Sequence, residues 1–273
     1  MRCSLLALIL VVGTHSACAE LDFSFGAPYI LSAALSPREC ADLIDRANDI
    51  AKWEKPGWRT SRHKNYPTTD LSLFEDFPTA YTAHLLGQLE PLRMHMVKQY
   101  RIPAGFSLDI DDLFIARYST DQEQRHLDSH NDGRLFSFVV DLSGVDMYDG
   151  GGTFFVDADQ NTTLARMWYG DTGGVNDSPL TRWRGARGDA LTFAGGLLRH
   201  GARPVSAGER YVLAGFCRIT HHVSFYALSL TRMINNMDTN ACKHALLKKN
   251  SEHDAIKCEA VRNDIASIFL RHG

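Results

Sequence analysis

Cys40, Leu43, Ile44, Ala47 and Ile50 recur every three or four positions, the spacing that places apolar side chains on one face of a helix. The residues just before them start that helix. Ser36 can cap it, Pro37 suits the first turn, and Glu39 can reach back to complete a capping box. Tyr81, Leu85, Leu89, Leu92 and Met96 mark a second amphipathic helix. Pro91 should kink or divide it, because proline removes one backbone donor and crowds the preceding turn. Between the two, the stretch from Trp53 to Asp70 is rich in Trp, Gly and Pro and reads as loop with short extended pieces. From about Leu108 the pattern changes to short apolar runs separated by Gly, Asp and Asn. Leu113 to Tyr118, Leu135 to Leu142, Thr153 to Val156, Ala190 to Phe193 and Arg210 to Phe216 are strand candidates. Beyond Arg218 the helical period returns, with Cys258, Val261, Ile265, Ile268 and Phe269 on one face. Helices first and many short strands afterwards predict an α+β domain, helices packed on an antiparallel double-sheet barrel. No internal repeat, low-complexity tract or linker interrupts it.

A chain of 273 residues holds one sizeable core and is too short for two full-sized ones. The formal net charge of −3 gives no reason to expect nucleic acid or an anionic membrane as partner. The first residues change the picture more. Arg2 provides a minimal positive start, Leu5 to Val12 are apolar and uncharged, and Ala17-Cys18-Ala19 puts small residues where signal peptidase reads. This apolar stretch is well short of the roughly 20 residues that cross a bilayer as a helix. A signal peptide over residues 1–19 is therefore expected, with Glu20 first in a mature chain routed to the endoplasmic reticulum lumen or secreted. No later segment is long and apolar enough to span a membrane. Cleavage would leave Cys40, Cys217, Cys242 and Cys258, for which three pairings exist. Cys242 and Cys258 flank a short polar segment and are the first guess for a local bridge. Cys40 and Cys217 read equally well as buried free thiols. Asn161-Thr162-Thr163 is a glycosylation sequon and agrees with secretion.

His130-Asn131-Asp132 stands directly before a predicted strand, and residues two apart in an extended segment point the same way. Two histidines and one carboxylate on one face of an iron(II) leave three coordination positions open, the facial triad of non-haem oxygenases. His126-Leu127-Asp128 has the same spacing and the same strand parity, so periodicity does not separate the two pairs. The third ligand must come from far along the chain. His200 follows a predicted strand and precedes a turn over Pro204 to Gly208. Ten residues after it comes Arg210, which shares a face with Val212, Ala214 and Phe216 and should point into the barrel. A buried Arg needs an anion, and a planar guanidinium fits a carboxylate with two prongs. No nearby acidic residue is an obvious partner in the sequence, so a cofactor carboxylate would serve. Gly150-Gly151-Gly152 lacks the strand-to-helix context of a nucleotide loop and reads as a bulge or tight turn.

Phe114-Ile115-Ala116-Arg117-Tyr118, His130-Asn131-Asp132, and Tyr148-Asp149-Gly150-Gly151-Gly152-Thr153-Phe154-Phe155 are followed by Arg187-Gly188-Asp189-Ala190-Leu191-Thr192-Phe193, His200, and Gly208-Glu209-Arg210-Tyr211. In this order and spacing they resemble the catalytic domain of the prolyl 4-hydroxylase and lysyl hydroxylase superfamily of iron(II)/2-oxoglutarate dioxygenases. Asn65-Tyr66-Pro67-Thr68-Thr69-Asp70 also resembles a stretch upstream of the lysyl hydroxylase site. The resemblance implies a double-stranded β-helix, or jelly-roll, barrel over residues 108–218. An N-terminal helical support region (20–107) and a C-terminal helical extension (219–273) would flank it. It implies iron(II) held by His130, Asp132 and His200, and 2-oxoglutarate paired through its distal carboxylate with Arg210 and hydrogen-bonded by Tyr118. Dioxygen would be co-substrate and L-ascorbate a helper reductant, and the substrate would be prolyl or lysyl side chains of a secretory-pathway polypeptide. Collagen-type prolyl hydroxylases usually carry Lys where this chain has Arg210, whereas lysyl hydroxylases carry Arg. The large glycosyltransferase-like regions of lysyl hydroxylases are missing here, and the segment from Met167 to Arg184 matches nothing in the family. A small-molecule oxygenase, and a secreted binding module that has lost catalysis, are the alternatives.

Overall fold

A computed structural model of the chain describes residues 28–54, 57–102, 105–121, 124–156 and 182–221. Its strands, in chain order, are β1 (Tyr29–Leu31), β2 (Asp70–Ser72), β3 (Phe106–Ser119), β4 (Leu127–His130), β5 (Phe136–Asp141), β6 (Tyr148–Gly150), β7 (Thr153–Phe155), β8 (Ala190–Phe193), β9 (His200–Ala202) and β10 (Val205–His221). The helices are α1 (Pro37–Asp49), running on into a π-helical turn at Ile50–Glu54, then α2 (Thr79–Gln88) and α3 (Glu90–Gln99). Among the described residues every strand pairing is antiparallel. One sheet has the order β1-β8-β5-β10-β3-β2, with β6 paired to the start of β10; the other is β4-β9-β7. Both sheets line a common cavity. This is the expected α+β jelly-roll arrangement.

Two long strands at its centre show how the sequence makes two cores at once. β3 and β10 pair from Glu209 opposite Ser119 to His221 opposite Phe106, with a register shift between Phe216 and Cys217. Side chains alternate faces along a strand. Leu113, Ile115, Tyr211 and Leu213 join the main core, where α1, α2 and α3 contribute Leu43, Ala47, Leu85, Leu92 and Met96. Phe114, Ala116, Tyr118, Val212 and Ala214 face the other way, into the barrel. At the end of α3, Tyr100 stacks on Phe136 at 4.5 Å and donates to Thr192 Oγ1 at 3.0 Å, fixing the helices to the sheet. α1 carries the predicted capping box, with Ser36 Oγ accepting from the Glu39 N–H at 3.3 Å.

The structure bears out some local expectations and adjusts others. The second amphipathic helix is divided at Leu89, and Pro91 sits in the first turn of the new helix, where its missing N–H costs nothing. Residues read as a turn after Pro204 already belong to β10, bulged against β6 between Val205 and Ala207. His130 does not merely precede a strand but ends one, β4. β1, β2, β4, β6 and β9 have only three or four residues, too few for a period to be read. The three glycines at 150–152 all have positive φ, and a Cβ on Gly150 would lie 2.4 Å from the Pro204 carbonyl oxygen, so the tight-turn reading stands. From the unplaced insertion, the described residues Arg182 and Arg184 donate to backbone carbonyls of Gly151 (2.9 Å) and Tyr148 (2.6 Å), and Trp183 is buried. Cys40 and Cys217 are buried and free. The leader, the sequon at Asn161, Cys242, Cys258 and the predicted C-terminal helix lie outside the described residues. No helix among the described residues is long and apolar enough to cross a membrane.

Candidate metal centre and cofactor pocket

His130 ends β4 and His200 opens β9, and the two are direct partners across the strand pair. Asp132 follows in the tight segment after β4, held there because its N–H donates to the Gly195 carbonyl at 2.9 Å. Three residues from two distant parts of the chain thus converge. His130 Nε2 lies 3.3 Å from Asp132 Oδ1, and His200 Nε2 lies 3.4 Å from Asp132 Oδ2. The three candidate ligand atoms all fall within 4.8 Å of one another. Each imidazole is oriented from behind: Nδ1 of His130 meets the Asp128 carbonyl at 2.8 Å, and Nδ1 of His200 meets the Leu198 carbonyl at 2.8 Å. A carbonyl only accepts, so both Nδ1 atoms carry the proton and both Nε2 atoms are left for a metal.

The competing pair is elsewhere. His126 and Asp128 have side chains 53% and 83% exposed and pair only with each other, at 3.4 Å. Asp132, by contrast, is buried. Burial disfavours its charge, but the imidazoles of His200 and His130 and the Ser137 hydroxyl outweigh that and bring its pKa to about 2. Ser137 Oγ donates to Asp132 Oδ2 at 2.5 Å. His200 is pushed down to about 4 by burial, with Asp132 opposing, so it stays neutral as a ligand must. Phe193 packs edge-on against His200 at 4.5 Å, and Tyr66 lies over His130 at 4.8 Å. His130 is shifted the other way: burial lowers it, but the Asp132 carboxylate and the Asp128 carbonyl outweigh that and raise it, so a metal taking its Nε2 would displace a proton there. Two imidazoles and one charged carboxylate on one side of a point are the donor set that suits iron(II).

Arg210 points into the barrel, as the alternation along β10 requires, and is only 1% exposed. It shares with the three ligand residues a cavity of about 380 Å³ that Tyr118 and Thr153 also line. Its Nη2 donates to Thr153 Oγ1 at 3.3 Å, and the rings of Tyr118 and Tyr148 lie 5.8 and 5.9 Å from its central carbon. One expectation is corrected here: an acidic neighbour does exist. Asp141 Oδ2, on β5, is 3.7 Å from Arg210 Nε. That is a charge contact and too long for a hydrogen bond, and Arg210 Nε has no hydrogen-bond partner. The guanidinium therefore keeps donors to offer an anion in the cavity. Burial pushes the Tyr118 phenol to about 12, with Arg210 opposing, so Tyr118 remains a neutral donor. At the cavity mouth, Arg62 ties the strap Arg62–Tyr66 to the barrel by ion pairs to Asp70 (2.9 Å) and Asp112 (2.8 Å).

The sequence reading named the ligands and Arg210 but missed their supports, Ser137, Gly195 and Asp141. Gly195-Gly196 after a strand was a visible turn signal. Nothing marked Ser137 or Asp141, which meet the site only through strand pairing.

Residues 113–218 match the family model of the 2OG-Fe(II) oxygenase superfamily. A protein of Acanthamoeba polyphaga mimivirus, named procollagen lysyl hydroxylase and glycosyltransferase, is 24% identical over 189 residues. That match covers 66% of this chain and 18% of the relative, so this chain spans a small part of it. Among solved structures, a viral collagen prolyl hydroxylase from Paramecium bursaria Chlorella virus-1 superposes with a TM-score of 0.45 and 18% identity, covering 70% of this chain and 94% of the other. A Pseudomonas putida prolyl-4-hydroxylase gives 0.46 and 14%, covering 72% and 95%. The matched segment holds all three candidate ligands and Arg210, so the barrel is similar to a domain of the 2OG-Fe(II) oxygenase superfamily, whose reactants are iron(II), 2-oxoglutarate and dioxygen.

Proposed function

We propose that this protein hydroxylates prolyl or lysyl side chains of polypeptides in the secretory pathway, with L-ascorbate as helper reductant. The observation that carries the oxygenase part is the convergence of His130, Asp132 and His200 in one cavity with Arg210. His130 and His200 present Nε2, and Asp132 supplies the negative charge that a divalent cation needs. Arg210 and Thr153, which both line the cavity, offer donors to a carboxylate there. Phe193 and Val139 line the cavity wall and keep water from the reacting centre. Bound there, iron(II) supplies the coupling of dioxygen reduction to oxidative decarboxylation of 2-oxoglutarate.

Two features support a polypeptide substrate. The cavity opens beneath the strap and continues into a groove lined by Trp58, Pro67 and Asp128, with Asn65, Tyr66 and Leu127 common to both. Such a trough suits an extended chain better than an enclosed small molecule. The sequence relative, in addition, is named as a procollagen lysyl hydroxylase. The secretory context rests on the leader sequence alone.

The test supplies the protein with iron(II), 2-oxoglutarate, ascorbate and dioxygen and offers collagen-like peptides containing Pro or Lys. Succinate release that requires a peptide, together with a peptide mass gain of one oxygen atom, is the expected result. Turnover stimulated only by small molecules would overturn the polypeptide reading. Absence of any 2-oxoglutarate turnover by the iron-loaded protein would leave a binding module instead. Arg210→Ala removes a charge-assisted contact worth on the order of 1.5 to 3 kcal/mol. Affinity for 2-oxoglutarate should fall roughly tenfold to hundredfold, with metal affinity unchanged, as titration calorimetry would show.

A further inference from the structure

Arg210, which lines the cavity, and Asp141, which lies behind it on β5, form a loosely joined pair. Their side chains are 1% and 0% exposed, yet the contact between them is 3.7 Å and carries no hydrogen bond. Asp141 does not depend on Arg210 for its position. The Gly144 N–H donates to its Oδ1 at 3.2 Å, and the Tyr148 hydroxyl donates to its Oδ2 at 3.0 Å. Arg210 is therefore neutralised by Asp141 through charge while its N–H groups remain open to the cavity. We infer that Asp141 is the resting counter-charge of Arg210, and that seating the distal carboxylate of 2-oxoglutarate on Arg210 drives a proton from solvent onto Asp141. The inference rests on the assignment of Arg210 to that carboxylate.

The physical reason is a mismatch of charges. One guanidinium cannot compensate two carboxylates that are both removed from water, and carboxylates sharing such a site keep a proton between them. In the ligand-free protein burial already raises Asp141 above the ordinary carboxylate range, and the Arg210 charge opposes that shift. A second anion on Arg210 cancels that opposing charge and leaves burial opposed only by the hydrogen bonds from Tyr148, Gly144 and Ser143. Among the described residues no cation other than Arg210 contacts the Asp141 carboxylate: Arg184 lies over the Tyr148 ring at 4.5 Å and donates to the Tyr148 carbonyl at 2.6 Å. Tyr148 from β6 is a neutral donor, its pKa raised chiefly by burial. Cys40 from α1 is held neutral, its thiol pushed by burial to about 12. Arg187 donates to the Ser143 carbonyl at 3.1 and 3.0 Å, and the Asp189 carboxylate accepts from the Ala33 and Ala186 N–H groups, so both are engaged elsewhere. On the opposite face of β10, Glu209 pairs with Arg117.

Uptake of one proton on binding makes affinity fall as pH rises, by up to about tenfold per pH unit. The test is titration calorimetry on the full chain with Mn(II) as the metal, comparing 2-oxoglutarate with 2-oxobutyrate. The second ligand has the same metal-chelating 2-oxo acid but ends in a methyl group, so it leaves Arg210 unoccupied. Runs in phosphate and in Tris, whose ionisation enthalpies differ, give the number of protons taken up. 2-Oxoglutarate should take up more protons than 2-oxobutyrate and weaken more steeply between pH 6 and pH 8. In Asp141→Asn that difference should vanish and the affinity at pH 8 should rise several-fold. Equal proton uptake for the two ligands in the unaltered protein, a result that needs no variant to fold, overturns the proposal. So does an uptake difference that persists in Asp141→Asn. Equal affinity for the two ligands overturns it in a distinguishable way, because the failure then lies in the assignment of Arg210.

Discussion

A Cβ placed on Gly195 would lie 2.1 Å from Asp132 Oδ2 and 2.2 Å from Ser137 Oγ, so a single methyl group competes for space with the carboxylate and the hydroxyl that orients it. Gly195→Ala should therefore displace Asp132 rather than simply strain the backbone. Groups that orient a metal ligand typically matter tenfold to hundredfold for metal affinity, and a loss of roughly that size is expected for Mn(II) binding by calorimetry. Undiminished affinity would mean that the Asp132 carboxylate is not a ligand. Residue identities in this site were legible from the chain itself: two histidines, one aspartate and one inward arginine. Their surroundings were not. Asp141 is 69 positions before Arg210, and no spacing rule connects them.

At the scale of elements, the helix signals were the most explicit, because capping and period are local physics. In α1 both halves of the capping box are formed, the Ser36 N–H donating to Glu39 Oε2 at 2.6 Å in return for the contact to Ser36 Oγ. The Leu35 N–H, one residue earlier, donates to the Gly188 carbonyl at 3.2 Å and ties this helix start to the barrel. Ser36→Ala should cost about 1 kcal/mol, read as a lower urea midpoint with an unchanged slope. A change in slope would point instead to loss of the helix's docking. Strand signals divided by length. β3 and β10 alternate long enough to reveal which residues face inward, which is how Arg210 was placed correctly. β4 and β9, the strands that carry His130 and His200, have four and three residues and gave no readable period.

For the whole molecule, the site exists only when β4 and β9 are paired, since that pairing sets His130 opposite His200. A metal bound to this site binds the folded chain and not the unfolded one. Mn(II) at about a hundred times its dissociation constant should then stabilise the fold by about 2.7 kcal/mol. The melting temperature should rise by several degrees, and Asp132→Ala should abolish the rise; an equal rise in that variant would place the stabilising metal elsewhere. The sequence by itself determined the α+β order of elements and the inward face of Arg210, while the identities of the candidate ligands were implied by its resemblance to a known family. The first two follow from local rules: helix caps, side-chain alternation, and the chemistry of each residue type. Spacing does not separate His130-Asp132 from His126-Asp128; the family resemblance favoured the first pair, and the tertiary structure shows the physical reason. It turned one pair into the cavity against His200 and left the other in solvent. It also revealed that Arg210 has a carboxylate neighbour in Asp141. Both outcomes depend on which strands lie side by side, and that is fixed by burying two faces of the main sheet at once, a condition no short window of sequence contains.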